Sequence, residues 1–235
     1  MRVNSEWSAL LLALFFPTVL TWAYFIALAD SEPWLQKGTY GIGKVVQFAF
    51  PLVFVLCLRK ERLQFRGIDS SGLVLAIGFG LLVGGAMLAL YHFWVKPAGF
   101  FAGPVTEEIK NKLKGFGVTS KAAYALLAIF YSLVHSLLEE YYWRWFVFGR
   151  LRKLMPLAGA LAVSSLGFAL HHVLVLEKYF GWDSPATWLF SAGVAIGGGV
   201  WAMVYQRSKS LLGPWLSHLL VDGAIFLIGF DLISS

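Results

Sequence analysis

Eight polar side chains sit inside or beside long apolar runs, at spacings that suit helices. They are His135, Glu139, Glu140, Arg144, His171, His172, His218 and Asp222. Carboxylates and imidazoles can take up and release protons, and a carboxylate can activate a water molecule. The set therefore predicts general acid–base chemistry in an apolar setting, which requires that several helices bring these side chains together.

The composition shows what those helices are embedded in. Of the 235 residues, 58% are hydrophobic and only 14% are charged, whereas soluble domains carry about 25% charged residues. The net charge of +6 comes largely from short basic runs between apolar stretches, which is typical of membrane topology signals and does not favour a nucleic-acid partner. The single Cys57 excludes an intrachain disulfide. The sequence predicts a multi-pass α-helical membrane protein.

Seven stretches are long and apolar enough to cross a bilayer, which needs roughly 20 residues per helix. They are 7–29, 42–58, 71–95, 122–148, 156–176, 186–206 and 211–233. We predict an all-α bundle of seven or eight transmembrane helices, with residues 1–235 forming a single integral membrane domain. The lysine-rich segment 96–121 contains PVTEEIKNKLKGF, which predicts a short amphipathic helix, either on the membrane surface or in a solvated loop.

The polar residues concentrate in the fourth, fifth and seventh predicted spans. Ionisable groups within a membrane cost a few kcal/mol each, about 3 kcal/mol on insertion scales, and often mark function. Such a set can serve as interhelical hydrogen-bond glue, as a proton or ion relay, or as a catalytic centre. All three interpretations stay open on composition alone.

Helical geometry sorts the set into pairs. Residues four apart share one helix face, so Glu140 can pair with Arg144, while Glu139 lies on the stripe of His135. The fourth and fifth spans meet at a turn near Met155–Pro156, and an antiparallel hairpin brings Glu139 to the depth of His172. His218 and Asp222 likewise share one face of the seventh span.

Three motifs in this order resemble a known family. Glu139-Glu140-Tyr-Tyr-Trp-Arg144 fits EExxxR, Phe168-Ala-Leu-His171-His172 fits FxxxH, and His218-Leu-Leu-Val-Asp222 fits HxxxN/D. Together they are similar to the CPBP family of CAAX prenyl endopeptidases and bacterial bacteriocin-processing or Abi-type intramembrane proteases. The resemblance implies a catalytic core over residues 122–233.

The resemblance also implies a role for each motif residue. Glu139 and His172 are expected to activate a water, and His218 and Asp222 to stabilise the oxyanion. Glu140 and Arg144 are expected to form a structural pair, with His135 and His171 beside the site. Asp222 stands where the motif also allows Asn, and since an ionised carboxylate cannot donate a hydrogen bond, we expect Asp222 to orient His218.

The family resemblance leaves the role of a metal open. Glu139, His172 and His218 offer oxygen and nitrogen ligands that suit zinc. No HExxH motif occurs in the sequence, and the ligands come from different helices. We therefore expect no cofactor and a glutamate-activated water, with a zinc site at these three residues as the alternative.

These observations predict an intramembrane endopeptidase. Its expected substrate is a membrane-associated peptide or protein, prenylated or bearing a leader or sorting tag, and its other expected partners are membrane lipids. One alternative is a non-catalytic, Abi-like immunity or scaffold protein; another is a proton-coupled transporter, which inverted repeats would favour. Because the chain carries no long soluble extension, we expect it in a prokaryotic cell membrane.

Overall fold

The computed structural model describes residues 2–62, 72–101 and 103–234, and these residues form an all-helical fold. Seven of its helices are long and apolar enough to cross a membrane, which confirms the predicted fold class. Residue 71, the first of the predicted third span, lies outside the described residues.

The helices divide into regular α-helices and π-helical segments. The α-helices are α1 (Arg2–Trp22), α2 (Pro33–Leu52), α3 (Leu73–Leu90), α4 (Pro104–Gly115), α5 (Lys121–Ile129), α6 (Ser136–Glu140), α7 (Gly149–Leu154), α8 (Leu157–Phe180), α9 (Pro185–Ser208) and α10 (Leu212–Ser234). The π-helical segments are Ala23–Ala27, Val53–Leu58, Tyr91–Val95, Phe130–His135 and Tyr141–Phe148. Wide π turns of this kind are rare and often occur at functional sites.

Two predicted boundaries differ clearly from those of the structure. The second span runs over Pro33–Leu58 instead of starting at residue 42, because Pro33 occupies the first helical turn, where its missing N–H costs nothing. The fourth span covers Lys121–Leu154 and contains two π-helical segments. The predicted amphipathic helix in 96–121 is present as α4.

The chain folds into two compact units, Met1–Gly67 with Tyr141–Met203 and Ile68–Glu140 with Val204–Ser235. The prediction that 1–235 is one membrane domain with a core over 122–233 stays a prediction.

In the first unit, a proline in α1 creates a hydrogen-bonding site for a second helix. Pro17 has no N–H, so the carbonyl of Ala13, four residues earlier, loses its helical donor. The buried hydroxyl of Tyr142 donates to this carbonyl at 2.7 Å. The hydrogen bond therefore ties the middle of α1 to the π-helical segment Tyr141–Phe148.

The first unit also contains an ion-pair network near the starts and ends of its spans. Arg150 donates two hydrogen bonds of 2.8 Å to the carboxylate of Glu61 and lies 3.2 Å from that of Glu6. Arg59 lies 2.9 Å from Glu6, and Lys153 lies 3.6 Å from Glu61. Glu6 and Arg150 are buried, whereas Glu61 and Lys153 are partly exposed. The network joins the ends of three spans, and its contact between Glu6 and Arg150 is the one shielded from water.

In the second unit, two glycines let α3 lie directly against α10. A Cβ atom added at Gly80 would lie 2.9 Å from the carbonyl oxygen of Ser217, and one at Gly84 would lie 3.3 Å from Ala224. The contacts advance in the same direction along both helices, so α3 and α10 run parallel. Their close approach fixes the height of α10, the helix that carries His218.

Gly193 and Gly197 form a GxxxG pair in the sixth span, a spacing that often marks close packing of membrane helices. A Cβ atom at Gly193 would have no neighbour within 4 Å, and one at Gly197 would meet only the ring of Trp201 in its own helix. The close contacts of α9 in the first unit lie instead at Gly198 and Gly199, which face Phe168 and Ser165 of α8. The rotation of α9 about its axis thus decides which of its glycines lie against α8.

Candidate active site

Glu139 and Glu140 lie in α6, a five-residue helix between two π-helical segments. Both are buried, with 4% and 0% of their surface exposed. Their helix belongs to the second unit, which also contains His135, His218 and Asp222. The structure therefore brings together most of the acidic and imidazole groups that the motifs predict.

His218 lies among all three carboxylates of this group. Its Nδ1 donates a hydrogen bond to Oε1 of Glu140 at 2.8 Å. Its Nε2 lies 3.7 Å from Oε2 of Glu139 and 3.5 Å from Oδ1 of Asp222. Only the distance to Glu140 falls within the usual range of an N–H···O hydrogen bond. The ring thus presents Nδ1 to one carboxylate and Nε2 to the other two.

The backbone around this group is fixed by contacts between α10 and the fourth span. The indole N–H of Trp215, three residues before His218, donates to the carbonyl of Leu133 at 2.9 Å. Leu133 lies in the π-helical segment Phe130–His135. Further along α10, the carbonyl of Phe226 accepts a hydrogen bond from the hydroxyl of Tyr124 at 2.9 Å. These contacts set the depth of His218 relative to Glu139.

His135 and Tyr131 extend the cluster along one side of the fourth span. Nδ1 of His135 lies 3.9 Å from Oε2 of Glu139, and the ring of Tyr131 lies 4.9 Å from that of His135, centroid to centroid. The Tyr131 ring also packs on Phe226 of α10. Sequence reasoning missed Tyr131, although its spacing of four from His135, and of eight from Glu139, is the signal that could have found it.

The remaining predicted site residues belong to the first unit. Nδ1 of His172 lies 3.0 Å from the carbonyl oxygen of Phe168. Since a carbonyl only accepts, Nδ1 carries a proton, and in the neutral form of the ring Nε2 then carries none. Such an Nε2 can accept a proton from water. The predicted pairing of His172 with Glu139 stays a prediction.

His171 and Arg144 pack against aromatic rings of the same unit. His171 is buried and stacks on Trp143, with the two rings tilted by only 5°. The guanidinium of Arg144 lies 4.6 Å from the ring centre of Phe168 and 5.2 Å from that of Trp201. These cation–π contacts stabilise a cation where water is excluded. The predicted pair of Arg144 with Glu140 stays a prediction.

A metal ion needs several donor side chains close together. Across residues 2–62, 72–101 and 103–234, no group of three or more His, Cys, Asp or Glu side chains could hold a metal ion. Zinc sites need at least three such ligands about 2.0–2.3 Å from the metal. Among the described residues, Glu139, His172 and His218 therefore do not form a zinc site.

A known protein family matches the segment of the chain that contains the three motifs. Residues 121–224 match the family described as type II CAAX prenyl endopeptidase Rce1-like. The Rce1-like segment contains all three motifs, from Glu139 to Asp222, and confirms the resemblance predicted from them. No curated protein and no solved structure matches the chain significantly.

The helical spans and the family match together indicate which class of protein this is. The Rce1-like match favours a CAAX-type protease with a peptide or protein substrate. Seven helices that can cross a membrane indicate a multi-pass membrane protein. The polar cluster of the Rce1-like segment therefore lies in helices of membrane-spanning length.

Proposed function

We propose that this protein is an intramembrane endopeptidase that hydrolyses a peptide bond through a water activated by Glu139. The observation that carries the proposal is the burial of Glu139 next to the imidazoles of His218 and His135, at 3.7 and 3.9 Å. A buried carboxylate that lies within 4 Å of two imidazoles can take up a proton and pass it on. The Rce1-like match over the same residues supports hydrolysis.

Hydrolysis proceeds in two balanced steps. The Glu139 carboxylate accepts a proton from water while the water oxygen attacks the carbonyl carbon of the peptide, and the carbonyl oxygen becomes an oxyanion. When the tetrahedral intermediate collapses, the C–N bond breaks and the proton moves from Glu139 to the departing amine. The family resemblance assigns His172 to the same step, because an Nε2 that carries no proton can accept a hydrogen bond from water.

His218 is the group that meets the oxyanion. In its protonated form, the ring carries a proton on Nε2, on the side of Glu139 and Asp222. Donation of this proton in a hydrogen bond to the oxyanion is worth about 3 kcal/mol in sites that exclude water. Asp222 lies 3.5 Å from the same nitrogen and favours the positive charge on the ring.

The substrate is a peptide that reaches the site from the membrane. The helices of both units expose many large apolar side chains, Val74 and Leu189 among them, and these fit lipid contact. The proposed substrate carries a prenylated C-terminus, a leader or a sorting tag. A prenyl group partitions into the bilayer and so brings its peptide to the membrane. The proposed location is a prokaryotic cell membrane.

The test compares peptide termini in cells that make wild-type protein or Glu139→Gln at equal membrane levels. Glu108→Gln serves as the matched control, because Glu108 is exposed on α4. New termini on membrane or lipidated proteins that occur with wild type and Glu108→Gln, and vanish with Glu139→Gln, support the proposal. The same termini in all three samples would favour the non-catalytic scaffold.

A further inference from the structure

The hydrogen bond between His218 and Glu140 gives the second glutamate of the EExxxR motif a function of its own. We propose that Glu140 is a positioning residue for His218, holding the imidazole so that Nε2 faces the position of the reacting water and oxyanion. This inference rests on the proposed function, because it assigns the orientation of a group used in that hydrolysis.

Burial makes this hydrogen bond a strong constraint. Glu140 is fully buried and His218 is 4% exposed, and the Nδ1–Oε1 distance of 2.8 Å is typical of a charge-assisted bond. Because both groups are buried, water does not compete for either of them, and rotation of the imidazole would break this hydrogen bond. The ring is therefore confined to the orientation that the carboxylate accepts.

Because the imidazole ring is rigid, holding Nδ1 also determines where Nε2 points. Its two nitrogens are separated by one carbon of a rigid planar ring, so fixing Nδ1 on Glu140 fixes the direction of Nε2. In this orientation Nε2 faces Glu139 and Asp222, at 3.7 and 3.5 Å. A ring turned by half a revolution would present carbon atoms to Glu139.

The three carboxylates thus lie at different nitrogens of the His218 ring. Glu140 makes the only contact of the three that falls within ordinary hydrogen-bond distance. Oxygens of Glu139 and Asp222 lie on the side of the other nitrogen, at 3.7 and 3.5 Å. The orienting function that the sequence suggested for Asp222 is better explained by Glu140.

The direct test is nuclear magnetic resonance of protein with ¹⁵N-labelled histidine in lipid nanodiscs. The chain has five histidines, and His218→Gln identifies the signals of His218. In wild type, Nδ1 of His218 should be protonated and its proton should exchange slowly with water. Glu140→Ala should shift the Nδ1 signal and speed the exchange. An unprotonated Nδ1 in wild type, or an unchanged signal in Glu140→Ala, would overturn the inference.

Kinetics provide the second readout. Loss of the partner that orients a metal-bound histidine costs about 10–100-fold; by analogy, Glu140→Ala should lower kcat by about that factor and leave KM unchanged. Glu140→Gln keeps an acceptor oxygen and should restore part of kcat, whereas Glu108→Gln should match wild type. A rise in KM alone, or equal losses for Ala and Gln, would contradict a positioning function.

The two readouts separate this inference from the proposed function. If wild type has no peptidase activity but His218 shows a protonated, slowly exchanging Nδ1, the proposed hydrolysis fails and the hydrogen bond stands. If peptides are cleaved while His218 Nδ1 is unprotonated, hydrolysis stands and Glu140 does not position the ring. Should Glu140→Ala not fold, the wild-type spectrum and Glu140→Gln still decide.

Discussion

The contact between α3 and α10 should be sensitive to a single methyl group at Gly80. A Cβ atom there would lie 2.9 Å from the carbonyl oxygen and 3.0 Å from the Cα of Ser217. Both are backbone atoms, so no rotamer change relieves the overlap and α10 itself must move. Gly78 lies in the same helix, and a Cβ atom there would have no neighbour within 4 Å. The substitutions Gly80→Ala and Gly78→Ala therefore form a matched pair.

The expected difference in the free energy of unfolding between the two variants follows from two opposing effects. Replacing glycine by alanine within a helix favours the folded state by about 0.8–1 kcal/mol, and this gain is the same at both positions. Overpacking costs typically 1–3 kcal/mol and applies only at Gly80. The free energy of unfolding of Gly80→Ala should thus lie about 1–3 kcal/mol below that of Gly78→Ala.

The pair should be measured by reversible unfolding in mixed micelles and by peptide cleavage. Because Ser217 precedes His218, a displaced α10 should also lower the turnover of Gly80→Ala, while Gly78→Ala should cleave as wild type does. Gly84→Ala and Gly85→Ala repeat the comparison at a milder 3.3 Å contact and should differ less. Equal stabilities of Gly80→Ala and Gly78→Ala would refute the parallel packing of α3 on α10.

Three further predictions address hydrogen bonding, acidity and metal. Tyr142→Phe leaves the buried carbonyl of Ala13 without its donor and should lower the free energy of unfolding by about 1–3 kcal/mol, which denaturant titration measures. The hydrogen bond from Arg150 lowers the pKa of Glu61 below its ordinary value. A carboxyl group with a lowered pKa stabilises the folded state above its ordinary pKa, and this stability is lost as the pH falls through the folded-state pKa. The free energy of unfolding of wild type should therefore fall more with decreasing pH than that of Glu61→Gln. Treatment with a chelator should leave cleavage unchanged, whereas loss of activity that zinc restores would favour the alternative zinc site at Glu139, His172 and His218.

Much of the fold could be predicted from the sequence because hydropathy reports directly on membrane burial. All seven spans were found this way, and the basic turn at Met155–Pro156 lies between α7 and α8. The start of the second span was missed because Pro33 to Gly41 mixes polar and small residues with few aliphatic ones. The π-helical segments were also missed, since a widened turn leaves no periodic signal of its own.

The candidate site shows where sequence reasoning reaches its limit. Helical spacing found the His135–Glu139 and His218–Asp222 stripes, because both are local along one helix. It could not find the hydrogen bond from His218 to Glu140, since 78 residues separate the partners. That bond depends on the depth of α10, which Gly80 and Trp215 set through packing. The sequence places several glycines in the third and sixth spans, but it does not show which of them contact a neighbouring helix.

The most direct test of the account is the turnover of Glu139→Gln. Purified protein would be reconstituted in liposomes and given a peptide whose cleavage the comparison of termini has identified. General base catalysis contributes about 10²–10⁴-fold, so kcat should fall by that factor in Glu139→Gln while folding and the His218 signals persist. Turnover equal to wild type in Glu139→Gln would contradict the claim that Glu139 activates the water.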